Sequence, residues 1–265
     1  MEQRLYSVTH GDGRVQAWSS VRLPFEPKGW LRDYRSELQG ALRATRATAT
    51  SVLYAEYAAP DAAFADLENV LLYNVGSGCY SHLARRGIIC RRMPSGDHLH
   101  HVTYASIEST DVIAPTGPVL AAARLVDTPS GGTPAHWWAA FRQHLHVPGR
   151  APYVGVFGVR AEVGLAWRRT LAPSVKALLD GLVSALHVHD GSEHDHVTTA
   201  LSEVGDGELL WALLNDPAIA IFGQRRLVRP HGPKIAWNPA DERCGYIEVV
   251  RGTKDDPVTV TIVAL

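Results

Sequence analysis

The run Leu5-Tyr6-Ser7-Val8-Thr9-His10-Gly11-Asp12-Gly13-Arg14-Val15-Gln16-Ala17-Trp18 decides the class of fold. Two strand-like stretches, Leu5–Thr9 and Arg14–Leu23, flank His10–Gly13, a turn-forming run that can supply the positive φ of a tight hairpin. Outward from this hairpin, Leu31, Tyr34, Leu38, Ala41 and Leu42 recur at helical spacing and predict an amphipathic helix ending near Arg46. Ser51–Ala58 then reads as a strand, so the chain opens β-β-α-β.

A second strong element starts at Ser174, a good N-cap after Pro173. Val175, Leu178, Leu179, Leu182, Val183 and Leu186 form its apolar face, which is expected to pack on a sheet containing Ser51–Ala58. Its other edge carries Lys176, Asp180, Ser184 and His187 as one polar stripe. Between these landmarks the sequence predicts strands at Gly87–Arg91, His101–Ile107, Tyr153–Arg160 and Val163–Thr170, with a helix over Pro134–His146. After the Ser174 helix come helices from His194 and over Gly207–Leu214, then strands at Ala218–Phe222, Tyr246–Val250 and Val258–Leu265. The Gly and Pro clusters are too short to uncouple domains. The expectation is one elaborated α+β domain, a mixed β-sheet with amphipathic helices packed on it.

The 265 residues are 46% hydrophobic and 20% charged, enough for a substantial core without disulfides. A formal net charge of -1 gives the whole chain no bias toward nucleic acid or membranes, so a basic surface must be local. Arg85, Arg86, Arg91 and Arg92 form one basic stretch, Arg168 and Arg169 another, and Arg225, Arg226, Arg229 and Lys234 a third. Cys79, Cys90 and Cys244 lack disulfide or zinc-ribbon spacing. With no apolar signal segment and no run of 18 apolar residues, the expected location is the cytoplasm, without membrane contact.

Hydrolysis of a phosphodiester with metal ions needs converging carboxylates, because Mg²⁺ takes hard oxygen ligands and keeps positions for water and phosphate. Asp66-Leu67-Glu68-Asn69 offers two such groups, although the same tetrapeptide also fits a helix N-cap or a solvated turn. Lys176 can stabilise negative charge developing on phosphate, and Asp190, in the loop after its helix, can complete a metal shell. Taken alone, Lys176 and Asp180 also fit an exposed i, i+4 pair. Histidines cluster at His98, His100 and His101 and again at His187, His189, His194 and His196, a pattern open to a His/Asp metal site or to hydrogen-bonding roles. The segment Ile235–Arg243 reads as an ordered polar turn around Trp237 to which no mechanism attaches. No P-loop, dinucleotide fingerprint or nucleophile elbow is present.

The order Val21-Arg22-Leu23-Pro24-Phe25-Glu26-Pro27-Lys28, helix, strand, Asp66-Leu67-Glu68-Asn69, then Lys176-Ala177-Leu178-Leu179-Asp180-Gly181-Leu182 and Asp190 resembles the RusA-type Holliday-junction resolvases. That resemblance implies a dimeric, Mg²⁺- or Mn²⁺-dependent endonuclease acting on structured nucleic acid. It also implies Asp66, Glu68 and Asp190 as metal ligands, Lys176 as the catalytic lysine, and a RusA-like core of residues 1–72 and 174–265 interrupted by a β-rich insertion over 73–173. Two departures stand out: Lys176 follows Asn69 by 107 residues, and Gly191 replaces a second acidic residue, for which Asp195 is a substitute ligand. Arg85, Arg86, Arg91 and Arg92 become the candidate phosphate contacts. The alternatives are a non-catalytic binding or assembly protein on the same scaffold, and a His/Asp metallohydrolase.

Overall fold

Asp12 and Gly13 take positive φ, 51° and 71°. A two-residue turn of that kind matches the twist of the strands it joins, and it links β1 (Tyr6–Gly11) to β2 (Arg14–Ser19) with Gly11 opposite Arg14. Helix α1 (Trp30–Ala44) buries Tyr34, Leu38 and Leu42, and the Tyr34 ring lies 5.3 Å from that of Tyr6, so the helix lies across the hairpin. The remaining strands and helices are β3 (Val52–Ala58), β4 (Gly87–Met93), β5 (His100–Ile107), β6 (Val119–Leu125), α2 (Pro134–His144), β7 (Phe157–Gly164) and α3 (Ala172–Ala185). After them come β8 (Val188–His189), α4 (His194–Leu201), α5 (Gly207–Leu214), β9 (Gln224–Arg225), β10 (Val228–His231), β11 (Lys234–Trp237), β12 (Cys244–Gly252) and β13 (Val258–Ala264). This computed structural model describes residues 5–60, 65–108, 114–129, 131–149, 152–164, 170–232, 234–253 and 255–265.

One nine-stranded mixed sheet organises the α+β fold, in the order β1-β2-β5-β3-β4-β12-β7-β13-β6. Neighbours are antiparallel except β3 with β4 and β12 with β7. A parallel pair cannot be closed by a tight turn and needs a long crossover. The chain from β3 to β4 therefore carries residues 59–86, with Asp66 and Glu68, and the chain from β7 to β12 carries α3 and residues up to 243. Strand polarity brings the start of the first crossover and the finish of the second to one end of the sheet, where β3 and β4 finish and β12 begins, because Tyr246 pairs with Arg91 and Ala58 with Met93.

The core lies on the helix-covered face, where Leu53, Ala55, Tyr57, Ile88, Cys90, Ile247 and Val249 meet α1, α2 and α3. The other face carries a small cluster of Val52, Ile89 and Tyr246, beside an Arg160 Nε to Glu248 Oε2 pair at 2.9 Å. Pro134 sits in the first turn of α2, where its missing N–H costs nothing, and Thr133 caps that helix. Asp206 caps α5 by accepting from the Leu209 N–H at 3.0 Å.

Several boundaries differ from the sequence reading. Ala218–Phe222 is a series of turns closed by local bonds such as Ala220 N to Pro217 O and Gly223 N to Ala220 O, rather than a strand. The two strands expected over Tyr153–Arg160 and Val163–Thr170 are one continuous strand, β7; residues 165–169, with Arg168 and Arg169, lie outside the described residues. The strands between residues 73 and 173 belong to the same sheet as the rest: β4 sits between β3 and β12, and β7 between β12 and β13. Helix α3 is covered nearly all round, so its polar stripe faces inward: Ser184 is fully buried, and Asp180 and His187 are buried too. Among the described residues no helix is long and apolar enough to cross a membrane.

Candidate metal centre

Asp66 and Glu68 stand at the start of the β3–β4 crossover, at the entrance to a wide helical turn over Asn69–Tyr73 in which Asn74 N bonds Asn69 O at 2.8 Å. Single turns of this i to i+5 type recur at functional sites. Asn69 Nδ2 donates to Asp66 Oδ2 at 2.8 Å and orients that carboxylate. Leu67, wholly buried between them, anchors the pair to the core. From the other crossover, Asp241 opens a short 3-10 turn, Asp241–Arg243, immediately before β12. One ligand oxygen from each of Asp66, Glu68 and Asp241 falls within 4.8 Å of the others, the spacing of a shared cation site.

Lys176 reaches into this cluster from the first turns of α3. Its Nζ lies 3.2 Å from Glu68 Oε1 and 3.3 Å from Asp180 Oδ1. Burial works against charge on the ammonium, but Glu68, Asp180 and Asp241 outweigh it and hold Lys176 protonated. Glu68 is 1% exposed, and burial pushes its carboxyl up against the opposing pull of Lys176. Asp241 is pushed up by burial and by Glu68, Asp66 and Asp180. Asp180 is raised by burial as well. Glu68, Asp180 and Asp241 thus surround one ammonium with Asp66 beside them, and like charges so packed favour either a proton or a cation between them. The second oxygen of Glu68, Oε2, is buried without a hydrogen-bond partner among the described residues. A buried carboxylate oxygen without a partner is costly, and a cation bound by the triad gives it one.

Arg92, at the end of β4, fixes the two ligand-bearing segments to each other. Its Nη2 donates to Ala65 O at 2.9 Å, Glu242 O at 2.7 Å and Cys244 O at 3.1 Å, gripping the residue before Asp66 and two that follow Asp241. A planar guanidinium suits this fork of carbonyls. His187 acts at the same loop: its Nδ1–H donates to Gly223 O at 3.1 Å and its Nε2 accepts the Ala240 N–H at 3.2 Å.

The structure therefore brings together Asp66, Glu68 and Lys176, expected from the sequence, with Asp180 and Asp241. It does not bring in Asp190 or Asp195. Asp190 accepts from Ser192 N at 3.0 Å and Ser192 Oγ at 2.6 Å, closing its own loop, and those bonds hold its carboxyl below the usual range. Asp195 is fully exposed and pairs with His194 at 2.9 Å. Of the arginines, Arg92 is the clamp just described and Arg91 projects from the opposite sheet face, near Tyr54 and Tyr246. Arg85 and Arg86, both exposed, precede β4 at its far end, about 20 Å from Arg92 at some 3.3 Å per residue.

The triad contains no histidine. His189 donates to Ser192 O at 2.9 Å and accepts from Leu227 N at 3.2 Å, so both of its ring nitrogens are committed to backbone, as are those of His187. His101 pairs with Asp97 and His100 with the Tyr57 hydroxyl. Asp241 is the residue the sequence did not single out. Its one signal was the ordered polar turn Ile235–Arg243 that contains it.

No protein-family model, curated protein or solved structure matches this chain.

Proposed function

We propose that the protein is a divalent-metal-dependent nuclease acting on structured nucleic acid. Asp66, Glu68 and Asp241 hold the cation, and Lys176 and Asp180 belong to the same site. The observation that carries this reading is the meeting of the Asp66/Glu68 segment with Lys176, 108 residues on from Glu68, at 3.2 Å. A core that pairs these groups gains little stability from doing so, since buried ion pairs are weak sources of stability. Catalysis explains the arrangement better. A Mg²⁺ or Mn²⁺ ion held there supplies Lewis-acid polarisation of a phosphoryl oxygen. Lys176, one-third exposed on its side chain, can reach a phosphate that approaches Glu68 and offset negative charge as it develops. Asn69 fixes Asp66, and Arg92 fixes the segments that carry Asp66 and Asp241. RusA-like ancestry of the scaffold and assembly as a homodimer belong to this proposal.

A second reading draws on one observation, the near-complete burial of Glu68: a non-catalytic binding protein in which Lys176, Glu68 and Asp180 are a closed structural network. The two separate in one experiment. Purified protein is titrated with Mn²⁺ and incubated with branched, single-stranded and duplex DNA. Metal binding with cleavage that disappears in Asp66→Asn and Lys176→Met supports the nuclease; no metal binding at millimolar Mn²⁺ leaves the structural network.

A further inference from the structure

A cleft of about 710 Å³ opens beside Asp66, lined by Arg22, Pro24, Phe25, Asn69, Tyr73 and Asn74 among others. Its rim holds an unusual pair for a water-facing surface. Phe25, on the loop after β2, and Tyr73, the last residue of the wide helical turn, stack with ring centres 4.9 Å apart and planes 11° from parallel. Both are about half exposed, at 51% and 50%. A large aromatic left in water usually packs its ring against the core or marks a contact surface. Here the two rings stack on each other at the rim and each leaves about half of its surface open. They also come from segments that the fold fixes: Asn74 Nδ2 donates to Leu23 O at 2.9 Å and ties the Phe25 loop to the turn bearing Tyr73.

We propose, resting on the nuclease reading, that this cleft takes an unstacked nucleobase, laid on the outer face of the Phe25–Tyr73 pair, with its neighbouring phosphate at Asp66. Flat apolar rings recognise the π-face that all bases share, which makes such platforms tolerant of sequence and selective for strands whose bases are already free. The cleft volume lies in the range that encloses a small ligand. Asp66 lines the cleft and belongs to the metal triad, so a base on the rings and a phosphate at the triad are adjacent sites of one strand. Arg22 supplies the cleft with a cation for the backbone. A base inside an intact duplex keeps its π-faces covered by neighbours and cannot take this seat. The substrate class is therefore a single strand, or a branched structure that frees a base at its junction.

The test measures fluorescence anisotropy of labelled oligothymidylate, an abasic oligomer of the same length and a blunt duplex. Ca²⁺ replaces Mg²⁺ to hold cleavage in check. The wild type is expected to favour oligothymidylate over both others. Phe25→Ala and Tyr73→Ala should each weaken oligothymidylate binding roughly ten-fold while leaving the abasic oligomer unchanged. Tyr73→Phe should bind as wild type, because the ring and not the hydroxyl forms the platform. Equal binding of thymidylate and abasic oligomers, preference for the duplex, no binding to any oligomer, or alanine variants that bind like wild type would each overturn the proposal. Mn²⁺ affinity measured on the same proteins keeps the failures apart. Loss of metal binding in the wild type removes the nuclease reading, whereas intact metal binding with ring-independent oligonucleotide binding removes only the base platform.

Discussion

Lys176 Nζ and Glu68 Oε1 lie 3.2 Å apart although 108 residues separate them in the chain. The contact exists because two parallel strand pairs demand two long crossovers, and both crossovers pass the same end of the sheet. Among the described residues Lys176 is the only ammonium set among Glu68, Asp180 and Asp241, so its removal leaves buried like charges facing each other.

Lys176→Met is therefore expected to destabilise the metal-free protein by about 1–3 kcal/mol, less than for a wholly buried pair because the lysine side chain is one-third exposed. Glu68→Gln made in that background should restore much of the loss. A double-mutant cycle from urea melts measures the coupling, and additive changes would show that the two groups do not interact.

The carboxylates predict the opposite sign for single neutral substitutions. Glu68→Gln or Asp241→Asn removes a buried negative group and is expected to raise stability of the metal-free protein by about 0.5–2 kcal/mol, as happens when a strained site is relieved. In wild type, Mn²⁺ at a hundred times its Kd should add about 2.7 kcal/mol. Neither variant should gain that increment. Thermal melts with and without Mn²⁺ read both effects, and a variant still stabilised by the ion would remove that residue from the ligand set.

His187 gives a pH signature. Burial pushes its pKa down to about 3, from an ordinary value of about 6.5, so the folded protein keeps it neutral where the unfolded chain takes up a proton. The folded pKa is lowered, so this group's contribution is full above about pH 6.5 and declines as pH falls toward 3, with a limiting slope of about 1.4 kcal/mol per unit. His187→Gln should lower stability at neutral pH and flatten that slope between pH 6 and 4. Identical slopes in wild type and variant would place the titration elsewhere.

Local periodicity made the hairpin, α1 and α3 readable, because Asp12-Gly13 and the spacing of Leu178, Leu182 and Leu186 each report one short segment. Asp66 and Glu68 stood out because they share one short segment, whereas Lys176, 108 residues on from Glu68, was joined to them by the RusA resemblance and not by local spacing. Asp241 was not, since its place beside Glu68 comes from β12 pairing with β4, a contact between distant segments that no spacing encodes. Strand β6 was missed because Val119-Leu120-Ala121-Ala122-Ala123-Arg124-Leu125 lacks the alternation of a half-buried strand; its pairing with β13 holds it. Arg92 reads as surface charge in the sequence, and only the convergence of three carbonyls makes it a clamp.

Arg92→Ala should accordingly lose Mn²⁺ affinity together with stability, while Arg85→Ala/Arg86→Ala, at the far end of β4, should leave both unchanged. That double variant should instead flatten the salt dependence of DNA binding if those arginines touch phosphates along an extended substrate. Calorimetric titration of Mn²⁺ and binding at several ionic strengths check the two halves separately.

Gly181 sets two effects against each other in the helix that carries Lys176 and Asp180. A mid-helix glycine replaced by alanine ordinarily gains up to about 1 kcal/mol. A Cβ at position 181, however, would stand 2.5 Å from Trp137 Cβ and 2.8 Å from both Pro134 O and Trp138 N. Two of these atoms are backbone of α2 and the third is fixed directly to it, so no flexible side chain can move aside. Overpacking of this kind costs about 1–3 kcal/mol, and it exceeds the propensity gain. Gly181→Ala is expected to lower the melting temperature and, by pushing α3 off α2, to shift Lys176 from Glu68 and weaken Mn²⁺ binding. Leu182→Ala is the comparison: it should cost about 2–5 kcal/mol through the cavity it leaves, yet keep α3 seated and metal affinity close to wild type. If Gly181→Ala melted at or above the wild-type temperature, the close approach of α2 and α3 would not be what positions Lys176.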